Sequence, residues 1–182
     1  MMTHKFLAKG AIGPLSRFAW PVPRTGAPGA WVEAVGPLGL CARGIHVCRA
    51  FELAHWIHDE LWEVEAEGDQ IEGLDCIVVQ RARLVRPIDE WSGVGGQRFA
   101  DACVAHAAAQ AGPTPADSVS GLLSDARLMS TNRYVGLAAY TAAIAVSRLG
   151  AEEVSAGTYR LERAWQSTWI ARELLASRHS GA

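Results

Sequence analysis

The chain has 182 residues, 49% of them apolar, and a formal net charge of −2. That is enough apolar material for one substantial core. The charge balance excludes the Lys/Arg surplus on which counterion release at nucleic acid depends, so no nucleic-acid partner is expected. No apolar run approaches the roughly 20 residues of a membrane span, so no membrane partner is expected either.

The first residues are broken by Lys5, Lys9, Gly10, Pro14 and Arg17 and do not read as a signal peptide. Four cysteines, Cys41, Cys48, Cys76 and Cys103, are few for this length. A chain this size needs no staples, so free thiols and a cytoplasmic location are expected. Lysine occurs only at Lys5 and Lys9, and every other basic residue is Arg, which reads as a coding bias.

Residues 1–40 hold five of the eight prolines, which forbids long helices. Short extended pieces are predicted at Lys5–Ala8, Phe18–Trp20 and Ala30–Ala34. Gly44-Ile45-His46-Val47-Cys48 reads as a strand. Ala50–Glu60 reads as a helix, with Phe51, Ala54, His55 and His58 on one side. Trp62, Val64 and Ala66 alternate with Glu63, Glu65 and Glu67, the pattern of a half-buried strand. Gly68-Asp69 reads as the start of a turn, and Cys76–Ile88 as a long strand pairing antiparallel with the one before.

Beyond residue 88, helices are predicted at Gln97–Ala111, Pro115–Leu128, Asn132–Leu149 and Thr158–Ala176. Phe99, Ala102, Cys103, His106 and Ala107 share a face of the first. Leu161, Ala164, Trp165, Thr168 and Leu175 share a face of the last. The fold class is therefore α+β: a small, mostly antiparallel sheet in residues 1–88 and about four helices in residues 89–182. The whole is expected to form one domain, with ligands meeting it near the sheet–helix junction.

Chemistry concentrates in one strand–helix unit. His46 and Cys48 share a strand face, and His55 and His58 lie one helical turn apart. With Cys41 they offer imidazole and thiolate ligands of the kind zinc takes, although no Cys-x-x-Cys or His-Glu-x-x-His spacing is present. Cys48 also precedes a predicted helix start, where a thiol can be activated with His46 or His55 as base. The carboxylates from Asp59 to Asp75 read as a wet hairpin face, with Arg81 and Arg83 opposite Glu63 and Glu65. In the helical half, His106 among Tyr134, Tyr140, Tyr159, Trp165 and Trp169 suggests an aromatic-walled pocket.

The Gly44–Cys48 strand, the following helix and Leu61-Trp62-Glu63-Val64-Glu65 resemble a bacterial, actinobacterial-type protein family with a Gly-(Ile/Leu)-His-x-Cys strand. Lys5-Phe6-Leu7-Ala8 and Glu162-Arg163-Ala164-Trp165-Gln166 carry the likeness to the two ends. That family has no known activity to transfer, but the resemblance implies that His46 and Cys48 belong to a signature.

The expected function is that of a small-molecule enzyme of bacterial secondary or accessory metabolism. It would use acid–base or nucleophilic chemistry, with no organic cofactor. The candidate catalytic residues are His46, Cys48, His55 and His58. A non-catalytic small-molecule-binding or protein-interaction protein is the alternative. The expected partner is a small-molecule ligand, with a homo-oligomer left open.

Overall fold

Antiparallel pairing dominates the first half of the chain. The computed structural model describes residues 1–150 and 155–176. Its contacts divide into two compact units, Met1–Ser92 and Gly93–Ala182. The fold is α+β, with a five-stranded antiparallel sheet in the first unit and helices in the second. Among the described residues no helix is long and apolar enough to cross a membrane.

The sheet hangs on one long hairpin, β4 (Glu60–Glu72) and β5 (Ile77–Pro87). β1 (Met2–Leu7) pairs with the free edge of β4. β2 (Val32–Glu33) and β3 (Ile45–Val47) pair with the free edge of β5. Just past β3, the amide of Cys48 donates to the His4 carbonyl at 2.7 Å, and the His4 amide donates back at 2.8 Å. That bridge returns the chain to β1 and closes the strands into a ring.

Strand alternation then separates an inner face from an outer one. The inner core gathers Leu7, Ile45, Val47, Trp62, Val64 and Leu84, with Trp20 folded in from the proline-rich segment. The strand expected at Leu61–Glu67 is longer than its alternation suggested. Gly68-Asp69 is not a turn: β4 runs on to Glu72 through a register shift between Glu67 and Gln70. Gly68 has φ +81° there, a backbone that favours glycine at a bulge.

A second shift, between Glu63 and Val64, re-sorts the charge pairs. Arg83 faces Glu65 and Arg81 faces Glu67, while Glu63 takes Arg86 rather than the expected partner.

Ala50–Trp56 is a short 3₁₀ helix and not the helix to Glu60 that the periodicity predicts. The chain must be extended by residue 60, where β4 begins opposite Leu7. The Glu60 carboxylate is also committed to the amides of Gly10 and Ala11 at 2.8 and 3.0 Å and to the Trp62 indole at 3.0 Å. Residues 57–59 are thus used as a connector.

The second unit holds α1 (Gly96–Ala111), α2 (Asp117–Thr131), α3 (Val135–Ser147) and α4 (Ser155–Ile170), the last extended by a wide turn at Ala171–Leu175. α3 is central and touches the other three. Its buried Ala138, Ala139, Ala142 and Ala143 let those helices come close.

Gly44, which opens the Gly-Ile-His-x-Cys strand, has φ +122°, and a Cβ there would stand 2.2 Å from Val78 Cγ1. Gly44→Ala is expected to cost about 2 kcal/mol or more in unfolding free energy, measured as a drop in denaturant midpoint. Gly39→Ala, whose Cβ would meet nothing nearer than 3.6 Å, is the control. Equal midpoints for the two variants would show that Gly44 is under no such constraint.

Candidate functional site

Alternation on β3 sends Ile45 and Val47 to the inner core and leaves His46 outward. The 3₁₀ helix lies on that outer side and buries Leu53 and Ala54. Its first turn is tied by the Glu52 carboxylate, which accepts the Arg49 amide at 2.7 Å. Its last residue, Trp56, donates from the indole to the Asp75 carbonyl at 2.7 Å. The Trp56 ring lies 6.4 Å from the His46 ring. His55 Nε2 stands 3.8 Å from Asp75 Oδ1. Strand, helix and the turn before β5 therefore bring His46, His55, Trp56 and Asp75 to one patch.

His58 is not part of it. It sits past the end of the helix, where its Nδ1 accepts the Asp59 amide at 2.9 Å and its carbonyl accepts the Trp91 indole. The predicted His55–His58 face needs a helical turn that the start of β4 removes. Cys41 is exposed in a separate turn at residues 39–43. Among the described residues no three His, Cys, Asp or Glu side chains are placed to share a metal ion.

Cys48 lies buried behind the patch. Burial pushes its thiol up to about 12, and Glu52, Cys76 and Asp75 push the same way against the opposing charge of Lys5. The expected activation at a helix start does not occur, because desolvation outweighs what a single 3₁₀ turn supplies and that turn carries a carboxylate. Burial also pushes Cys76 up. Both thiols are packed groups and not thiolates at neutral pH.

The residue that sequence reasoning missed is Lys5. It shares the β1 face of Leu7 and stands opposite Trp62, so its side chain enters the ring of strands. Its ammonium donates to the His46 carbonyl at 2.6 Å and lies 5.4 Å from the Trp20 ring centre. The residue is half-buried overall, but its charged end is enclosed, and burial pulls its pKa from 10.5 down to about 8. A displacement of that size corresponds to about 3 kcal/mol. A signal was present in the sequence: Lys5 is one of only two lysines in a chain whose other cationic side chains of this kind are all Arg.

Lys5 acts on His46. Burial first, and the Lys5 charge second, hold the imidazole below its ordinary value. His46 is therefore neutral at pH 7 and free to accept a proton.

The second unit holds a separate polar cluster. The Leu161 face of α4 is the outer one: Leu161 is 73% exposed, whereas Glu162, Arg163, Gln166 and Ser167 are buried. Ala164 and Thr168 also face outward. Gln166 donates to the Ala139 carbonyl at 2.9 Å, and Arg163 donates to Gln166 at 2.8 Å. Glu162 Oε2 lies 2.9 Å from His106 Nδ1, and the imidazole stacks on Trp165 at 3.8 Å and 6°. Of the tyrosines expected around His106, Tyr134 and Tyr140 are 61% and 48% exposed. A carboxylate and an indole hold the ring.

No family model, no curated protein and no solved structure matches this chain, so the reading of its sites rests on their geometry.

A histidine titrating below 6.5 in the folded state adds stability above that pH, and the gain is lost as pH falls through the folded value. By ring NMR, His46 is expected to titrate with a midpoint below 6.5, and Lys5→Met is expected to move that midpoint upward. A His46 midpoint at or above 6.5, unmoved by Lys5→Met, would refute the coupling.

Glu162 runs the opposite way. Burial raises its carboxyl above 4.5, against the pull of His106. Its contribution is complete below 4.5 and is lost as pH rises through the folded value. Glu162→Gln is therefore expected to be more stable than wild type at pH 8. The gap should close toward pH 4. A less stable variant at pH 8 would show that the pairing with His106 dominates.

Proposed function

We propose that the N-terminal unit is a small-molecule enzyme of bacterial accessory metabolism, working in the cytoplasm by acid–base chemistry. The observation that carries the reading is the convergence of His46, His55, Trp56 and Asp75 from three separate elements. In this reading the neutral His46 imidazole takes a proton from a bound substrate. His55, facing the Asp75 carboxylate, is the second proton-transfer group of the patch. Trp56, 37% exposed, offers a ring for the substrate to lie on. Lys5 is a positioning residue: it fixes the β3 backbone and keeps His46 deprotonated. Cys48 is an aligning neighbour beneath the imidazole rather than the nucleophile.

A second reading has an observation of its own. Phe51 is 59% exposed and Leu74 is 80% exposed, on the 3₁₀ helix and beside Asp75 respectively. An apolar rim of that kind also suits a binding protein without catalysis.

One experiment separates the two. A fragment library is titrated by NMR, and compounds that shift the Trp56 indole and the His46 ring are incubated in D₂O. The enzyme reading expects exchange of an acidic C–H in at least one bound compound, slowing as pH falls through the His46 titration. His46→Ala should lower the exchange by a factor of about 10² or more. Binding at the patch without exchange would leave the binding reading. Fragments that map elsewhere would end both.

A further inference from the structure

The second unit carries a groove of about 380 Å³ along α1 and α2, within the size range of small-ligand sites. Its floor is small and apolar, made by Val104, Ala105 and Ala108 of α1. Two opposite charges line it, Asp101 from α1 and Arg127 from α2, yet they form no ion pair with each other.

The Asp101 carboxylate is held in place. Its Oδ1 accepts the buried Ser130 hydroxyl at 2.5 Å and the Gln97 amide at 3.0 Å. Its Oδ2 and the Arg127 guanidinium have no hydrogen-bond or ion-pair partner among the described residues. An anchored anion and a cation facing one groove without neutralising each other suit a ligand that carries both charges. A ligand with a single charge would leave one of the two unmatched.

We propose that this groove binds a zwitterionic small molecule of the α-amino acid class, its ammonium on Asp101, its carboxylate on Arg127 and a small apolar side chain against Val104, Ala105 and Ala108. The inference is independent of the His46 patch. Arg offers a two-pronged donor to a carboxylate, and Asp101 presents an oxygen already fixed by its neighbours. The site is open and the ligand small, so the expected Kd is on the order of 1 mM.

The test is an amide NMR titration of the full chain with L-alanine, L-valine and L-leucine, beside isobutylamine and isobutyrate as single-charge controls. Saturable shifts are expected at Asp101, Ala105, Ser130 and Thr131 with at least one amino acid, and binding of both controls should be about tenfold weaker or more. Arg127→Gln, on an exposed side chain, should weaken binding about tenfold. Asp101→Asn, which keeps an acceptor for Ser130 and Gln97, should do the same. The proposal is overturned by no saturable shift with any of the three amino acids. It is also overturned by controls that bind equally well, or by binding that Arg127→Gln leaves unchanged.

Discussion

The strand ring of the first unit closes at a single backbone bridge between His4 and Cys48, and that closure leaves the Lys5 ammonium inside. An enclosed cation is costly unless its donors find acceptors. Here it donates to the carbonyl of His46, on the strand that completes the ring. The charge that burdens the fold thereby ties β1 to β3 and biases the imidazole on the other side of β3. Removing the ammonium would lower the desolvation cost and release His46 at once, so stability and proton affinity are linked through one side chain.

The hairpin of β4 and β5 makes this arrangement possible. Its outer charges are sorted into pairs across the strands, with Trp31 lying 4.2 and 4.5 Å from the Arg81 and Arg83 guanidinium carbons. Exposed pairs of this kind contribute only tenths of a kcal/mol to about 1 kcal/mol each. Their value is in fixing register, since a slip of one residue would turn Trp62, Val64 and Ala66 out of the core. Register in turn sets where the turn at Gly73–Asp75 meets Trp56 and His55.

What could be read in the sequence follows the strength of each local signal. The alternation from Trp62 to Glu67 and the Val/Ile run of β5 identify strands, and both form. The Phe99, Cys103 and Ala107 row identifies the buried face of α1 correctly. The helix after Cys48 fails because β4 needs extended chain by residue 60, a tertiary demand that helical spacing does not reveal. The helix at α4 forms, but its buried face carries no such signal. Its apolar residues are sparse, and the buried face is chosen by hydrogen bonds from Gln166 to Ala139 and by the Glu162–His106 pair, which no hydrophobic period encodes. In the candidate site His46, Cys48 and His55 fall close together, whereas His58 does not, and Asp75 and Trp56 emerge only once the turn before β5 is placed.

A buried, weakened lysine sits behind His46. Only Lys5 and Lys9 occur in the chain, so the ¹³Cε resonances of the two side chains can be followed through an alkaline titration without crowding. Lys5 is expected to titrate with a midpoint about 8. A Lys5 midpoint at the ordinary lysine value, about 10.4, would mean that the ammonium is solvated. The link between ring closure and the His46 patch would then be wrong.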